Sequence, residues 1–260
     1  MYKNFMSYLQ IELIILKVVI LAGGLGTRLI EETRDKPKPM VLIGNKPMLW
    51  HIMKIYSTYG INDFIICLGY KGDVIKQFFD NIKSNKEQIK RTAIPDKWKI
   101  TLVDTGLNTM TGGRLRKVKK YLENDTFCFT YGDTLNNVNI DNLIDFHRKK
   151  NAVATVTACI PPEKYGILKI KKDKVIDFKE KPNSKKDWVN GGFFVLEPEI
   201  FDLIENNTTI WEQEPMKKLS KSGRFYAYRH SGFYQPMDTL REKNYLNKLW
   251  RSGKAPWKIW

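Results

Sequence analysis

Leu21-Ala-Gly-Gly-Leu-Gly-Thr-Arg28 follows the apolar run Val18-Val19-Ile20, and its reading decides how the rest of the chain is understood. A β-branched run that ends in a glycine-rich turn describes a buried strand delivering its C-terminal end to a loop. Gly23, Gly24 and Gly26 leave the backbone free to take φ > 0 and to approach a ligand, so that successive N–H groups face a phosphate chain. Leu21, Ala22 and Leu25 complete the loop, Thr27 adds a hydroxyl and Arg28 a permanent charge. Just downstream, Lys36-Pro-Lys-Pro39 carries two ammonium groups on a segment stiffened by two prolines. The glycine spacing fits neither common phosphate loop. Gly-x-Gly-x-x-Gly requires a glycine where Leu29 stands, and Gly-Lys-Ser/Thr is absent, which argues against a dinucleotide enzyme or a P-loop NTPase.

The 260 residues, 42% of them hydrophobic, suffice for one globular unit with a large core. Cys67, Cys128 and Cys159 sit in apolar runs without CxxC spacing, which speaks for a reducing, cytoplasmic setting rather than a disulfide framework or a zinc site. His51, His147 and His230 are scattered and read as packing or surface residues. A formal charge of +16 raises the possibility of nucleic-acid binding. The lysines are nevertheless spread along the chain with no arginine-rich tail, so they read as solvated faces with some drawn to an anionic substrate, and no nucleic-acid partner is expected. Residues 1–16 form an N-terminal extension before a single domain, 17–260. Glu12 and Lys17 interrupt its apolar stretch, which is shorter than the ~20 residues a membrane span needs. Cleavage of a signal peptide near Ala22 would destroy the glycine loop, so neither membrane nor export is expected.

The spacing predicts a helix over Met48 to Tyr59, a strand over Asp63 to Gly69 and a helix over Asp73 to Ile82. Strand and helix in alternation imply right-handed βαβ units and a parallel sheet covered on both faces. Ligands of such sheets collect at the C-terminal strand ends, where the glycine loop lies. After a polar stretch, 83–98, a strand over Lys99 to Val103 leads to Met110-Thr-Gly-Gly-Arg-Leu115. There a second glycine turn opens a helix to Leu122 and offers backbone N–H groups with Arg114 beside them. Either a plain capped helix or a base-binding turn fits, and the first loop favours the second reading. Phe127-Cys-Phe-Thr-Tyr-Gly-Asp133 is another buried strand ending in a carboxylate, which either starts a turn or holds Mg²⁺ where phosphates converge. A helix over Asp141 to Lys149 and a strand over Ala152 to Ile160 complete a nucleotide-binding part, 17–160.

From 161 onward short strands are expected over Gly166 to Ile170, Val175 to Glu180 and Val189 to Leu196, in a mixed or antiparallel sugar-binding part. Helices over Glu199 to Glu205, Glu214 to Ser222 and Thr239 to Trp250 follow. Lys179-Glu-Lys-Pro182 reads on its own as a charged strand end. Asp238 is a helix N-cap by type, or a second carboxylate that joins Asp133 on a metal.

Gly-Gly-x-Gly-Thr-Arg with Lys-Pro-Lys-Pro resembles the opening of the sugar-1-phosphate nucleotidyltransferases. The further blocks Cys67-Leu-Gly-Tyr-Lys-Gly72, Met110-Thr-Gly-Gly-Arg114, Phe129-Thr-Tyr-Gly-Asp133, Asn190-Gly-Gly-Phe-Phe-Val195, Trp211-Glu-Gln-Glu-Pro215, Gln235-Pro-Met-Asp-Thr239 and Lys254-Ala-Pro-Trp257 resemble the glucose-1-phosphate cytidylyltransferases within that group. The resemblance implies a Rossmann-like α/β fold, a mixed and mainly parallel sheet flanked by helices, with a small β-rich sugar-binding portion. It also implies cytidylyl transfer from CTP to glucose 1-phosphate, which feeds dideoxy-sugar and surface-polysaccharide synthesis, and a homo-oligomer, typically a hexamer. Residue by residue, the loop Leu21 to Arg28 with Lys38, Thr109, Arg114, Gly132 and Asp133 would bind the nucleotide. Tyr165, Gly166, Glu180, Lys181, Asn190 and Gly191 would bind the sugar phosphate. Arg28, Lys38 and Lys181 would be catalytic, and Asp133 and Asp238 would hold Mg²⁺. Thr134 departs from the family, which reads Gly-Asp-Gly there. UTP or dTTP use, or sugar-nucleotide binding without catalysis, are the alternatives.

Overall fold

Alternate residues of the first strand, β1 (Lys17–Leu21), enter opposite sides of a sheet: Val18 and Ile20 join one hydrophobic core, Val19 and Leu21 the other. The computed structural model describes residues 16–84, 97–162, 167–171, 174–179 and 188–260. The N-terminal extension and most of the polar stretch after Lys83 therefore lie outside the described residues.

A 3-10 turn at Thr27–Leu29 and a single helical turn, α1 (Ile30–Thr33), follow the glycine loop. The hairpin β2 (Leu42–Ile43) and β3 (Lys46–Pro47) turns at Gly44, whose φ of 65° favours glycine. Helix α2 (Met48–Thr58) starts directly after Pro47 and stops before Gly60, the boundaries its sequence predicts. Strand β4 (Asp63–Leu68), helix α3 (Gly72–Ser84) and strand β5 (Lys99–Asp104) repeat the unit. Helix α4 (Thr111–Val118) precedes β6 (Phe127–Tyr131), the short β7 (Thr134–Asn136), α5 (Ile140–Lys149) and β8 (Ala154–Cys159).

Beyond β8 the outcome departs from the sequence reading. β9 (Ile167–Lys171) and β10 (Lys174–Lys179) do pair as a separate antiparallel ribbon. β11 (Val189–Leu196), expected beside them, instead enters the central sheet between β8 and β6 and runs antiparallel to both. Its last six residues are buried, and such a continuous apolar run suits the middle of a sheet covered on two faces. The segment after Glu197 is a 3-10 helix, Pro198–Leu203, rather than an α-helix. After α6 (Glu214–Lys221), the half-exposed aromatic strand β12 (Phe225–His230) closes one sheet edge parallel to β8. The order is β12-β8-β11-β6-β1-β4-β5, mainly parallel with helices on both faces, as the Rossmann-like expectation required.

Two late elements finish the chain. β13 (Tyr234–Pro236) pairs antiparallel with β7, and α7 (Leu240–Arg251) leads to the C-terminal tail. The tail packs inward: Trp257 is fully buried and its Nε1–H donates to His51 Nδ1 at 3.3 Å, while His51 Nε2–H donates to the Ile43 carbonyl at 3.0 Å. Among the described residues, no helix is long and apolar enough to cross a membrane.

Candidate active site

Strands β1 and β6 run side by side and parallel, so Leu21 and Tyr131 end together and the loops beyond them share one cleft of 810 Å³. The glycine loop is held by its first residues and left open at its tip. Ala22 N–H donates to the Cys67 carbonyl at 3.0 Å, and the Gly23 carbonyl accepts from Tyr70 N–H at 3.1 Å and Arg114 Nη2 at 2.9 Å. Gly24 faces open space, while Gly26, at φ 66°, turns the chain into the 3-10 segment that carries Thr27 and Arg28.

Arg114 is buried, and four of its five N–H donors are engaged by the protein. Nη1 donates to the Leu68 carbonyl at 2.9 Å and to Thr105 Oγ1 at 2.6 Å; Nη2 reaches the carbonyls of Gly23 and of Leu107, the latter at 3.2 Å. A Cβ on Gly23 would lie 2.1 Å from Nη1, so the guanidinium fits only against glycine. Arg114 thus lines the cleft with its guanidinium committed to holding the glycine loop in place. Thr109, also buried in the cleft wall, accepts from Lys117 Nζ at 3.3 Å.

The charged centre is assembled by three separate pieces of chain. Lys38 opens a 3-10 turn between Pro37 and Pro39; a Cβ on Gly132 would meet Pro39 Cγ at 2.8 Å, so that glycine lets the two segments touch. The β7–β13 ribbon pairs Thr134 with Pro236, and Met237 N–H donates to the Asp133 carbonyl at 2.9 Å, which sets Asp133 beside Asp238. Lys38 Nζ sits between them, 2.6 Å from Asp133 Oδ2 and 2.6 Å from Asp238 Oδ1, and Arg28 Nη1 lies 2.8 Å from Asp238 Oδ2. Burial pulls the Lys38 ammonium down, but the two carboxylates outweigh it and hold it above its usual range.

Asp238 is not the helix cap that its residue type suggested. Thr239 caps α7, its Oγ1 accepting from Glu242 N–H at 3.3 Å while Glu242 Oε2 accepts from Thr239 N–H at 2.9 Å. The Asp238 carboxylate is thereby left to the cleft. Thr134 begins β7, and its hydroxyl donates to Asp133 Oδ1 at 3.2 Å, so the departure from Gly-Asp-Gly keeps the carboxylate at the strand end.

Two adjacent carboxylates are hard oxygen donors of the kind a divalent ion shares with substrate phosphates. Among the described residues no cluster of three or more metal-binding side chains occurs, so this donor set fits an ion that takes its other ligands from substrate and water. Among the described residues no histidine lines the cleft.

Also in the cleft lining, Asn190 Nδ2 donates to the Tyr131 hydroxyl oxygen at 3.1 Å, and Asn190 Oδ1 accepts from Gly192 N–H at 2.9 Å. Gly191 leaves no room for a side chain: a Cβ would lie 2.4 Å from Cys159 Sγ. Tyr165, Gly166, Glu180 and Lys181 lie outside the described residues. Tyr131 is a cleft residue the sequence reading passed over, although it stands directly before Gly132-Asp133 at a strand end. Burial and the neighbouring Glu212 carboxylate push its hydroxyl well above the ordinary tyrosine range, so it stays protonated.

Residues 17–227 match the family model described as nucleotidyl transferase. The chain is 52% identical over 257 residues to the glucose-1-phosphate cytidylyltransferase of Salmonella typhimurium, a match covering 94% of this chain and 100% of that protein. It is 43% identical to the probable glucose-1-phosphate cytidylyltransferase of Bacillus subtilis, with the same coverage. Among solved structures, HddC from Yersinia pseudotuberculosis complexed with GMP-PN superposes with a TM-score of 0.69 at 26% identity, covering 90% of this chain and 99% of that one.

Proposed function

Since the chain belongs to the nucleotidyl transferase family, and within it to the glucose-1-phosphate cytidylyltransferases, we propose that its cleft transfers the cytidylyl group of CTP to glucose 1-phosphate. The products are CDP-glucose and pyrophosphate. The observation that carries this reading is the cluster of Lys38, Arg28, Asp133 and Asp238 at the mouth of the glycine loop. The near full-length identity to named cytidylyltransferases supports the choice of base and sugar.

A phosphate oxygen of glucose 1-phosphate forms a bond to the α-phosphorus of CTP, and the bond from that phosphorus to the bridging oxygen of pyrophosphate breaks in line. The attacking phosphate is already ionised, so no protein base is required. The glycine loop holds the triphosphate with backbone N–H groups, and Arg28 and Lys38 oppose the charge that develops on the transferred group. Asp133 and Asp238 would hold Mg²⁺, which when bound supplies Lewis-acid neutralisation of phosphate oxygens. Asn190 and Gly191 border the sugar phosphate, and Tyr165, Gly166, Glu180 and Lys181 complete its binding, with Lys181 as a third catalytic cation. The buried cysteines accord with a cytoplasmic setting, and the product feeds surface-polysaccharide synthesis. A homo-oligomer, hexameric by family resemblance, belongs to the same reading and is checked by light scattering.

The test is pyrophosphate release by the purified protein with Mg²⁺ and glucose 1-phosphate, comparing CTP, UTP, dTTP and ATP. Release with CTP well above the others is expected. Preference for another nucleotide would move the base specificity, and silence with all four would overturn the enzymatic reading.

A further inference from the structure

Trp211-Glu-Gln-Glu-Pro215 has no part in the reaction as described so far. Trp211 is fully buried, and its backbone N–H donates to Thr111 Oγ1 at 2.9 Å, which pins the segment to the first turn of α4. The next residue, Glu212, spans two cleft-lining elements. Its Oε1 accepts from the Tyr131 hydroxyl at 2.5 Å and its Oε2 from the Thr111 hydroxyl at 2.6 Å. Charge-assisted bonds of this kind are short and strong among hydrogen bonds.

The direction of these bonds follows from the chemistry of a carboxylate, which only accepts. Tyr131 must therefore give its proton to Glu212, and its oxygen is left as an acceptor. Asn190 must then turn Nδ2 toward Tyr131, at 3.1 Å, and Oδ1 toward Gly192 N–H, at 2.9 Å. Gly192 N–H sets the same amide orientation from the other side, so the carboxylate outside the cleft lining supplies, through the Tyr131 oxygen, the acceptor that holds Asn190 Nδ2 in place.

We propose that Glu212 is a positioning residue for glucose 1-phosphate, acting through Tyr131 on the Asn190 amide while tying α4 to the end of β6. The proposal rests on the functional reading above, because it takes Asn190 as a sugar-phosphate contact.

Glu212→Gln keeps the size of the side chain but introduces an N–H donor, so the two hydroxyls can no longer both give their protons to it. Steady-state kinetics should show KM for glucose 1-phosphate raised about tenfold, the scale of one lost oriented hydrogen bond, with KM for CTP within twofold and only a modest fall in Tm from the loosened α4 tie. Tyr131→Phe removes the relay itself. The double variant should be no worse than Tyr131→Phe alone, since both changes break one chain of bonds. Additive losses, equal rises in both KM values, or a loss that tracks Tm would overturn the proposal and leave Glu212 a structural link. A wild-type protein without CTP-dependent turnover of glucose 1-phosphate would overturn the functional reading, and this proposal with it.

Discussion

Replacing Lys38 by Met removes the ammonium and keeps most of the stem, leaving Asp133 and Asp238 to face each other. Removing one partner of a fully buried ion pair costs about 3–5 kcal/mol, because the other charge stays uncompensated. In this cleft the Asp133 and Asp238 side chains keep 29% and 17% of their exposure, and Arg28 stays beside Asp238. Solvent and Arg28 screen the repulsion, so the loss should be about 2 kcal/mol, equivalent to roughly 4–8 °C in Tm for a chain of this size. Since the Lys38 pKa is raised by folding, its contribution is complete below its unfolded value and fades only as pH rises through the folded one, so the loss should be constant across neutral pH. A divalent cation can take the place the ammonium has left. Thermal unfolding with and without Mg²⁺, in the absence of nucleotide, should therefore show the cation raising Tm of Lys38→Met by several degrees and that of the wild type little. An unchanged Tm in the variant, or an equal response to Mg²⁺ in both proteins, would refute the reasoning that Lys38 balances the carboxylate pair.

Asp133→Asn removes one carboxylate charge from the pair proposed to hold Mg²⁺ and should lower kcat by roughly 100-fold with little change in Tm; near-wild-type turnover at saturating Mg²⁺ would remove Asp133 from the metal role. Burial pushes the His51 imidazole down to about 4, helped by Lys46 and opposed by its bond to the Ile43 carbonyl. The unfolded chain then binds the extra proton first, so stability should fall as pH drops from about 6.5 toward 4, by up to roughly 1.4 kcal/mol per unit. Urea titrations at pH 7 and 5 should show a weaker slope in His51→Gln. Gly132→Ala places a Cβ 2.5 Å from the Leu21 carbonyl oxygen and 2.8 Å from Pro39 Cγ, and should cost both stability and turnover; a variant that matches the wild type by calorimetry and kinetics would contradict that packing. Cys67, Cys128 and Cys159 are buried with thiols pushed up to about 12, chiefly by burial. Ellman's reagent at pH 8 should label them only after denaturant is added.

The glycine loop and the Lys-Pro-Lys-Pro segment were legible because their chemistry is local: three glycines, two prolines and four cations lie within 17 residues of one another. The first βαβ units were legible for the same reason, each bounded by its own glycine or proline. β11 was not, since nothing within Val189 to Leu196 reveals that its neighbours will be β6 and β8, some 60 and 35 residues earlier. The role of Asp238 turned on a competition between adjacent residues. Asp and Thr both cap helices, but Thr239-Leu-Arg-Glu242 is a capping box, and that reciprocal pattern was present in the sequence to be weighed. Tyr131 escaped notice because an aromatic residue at the end of a buried strand looks like core until its hydroxyl finds a partner 81 residues away.

The charge cluster is also the last part of the cleft to be completed as the chain is made. Lys38 and Asp238 are 200 residues apart, and the ribbon that sets Asp133 beside Asp238 needs β13, one of the last strands to be synthesised. In chain order the glycine loop, Lys38 and Asp133 all precede the second carboxylate. With Asp238 in the metal role proposed above, a polypeptide that stops short of it would carry the glycine loop and Asp133 but lack the second carboxylate, and should show no transfer.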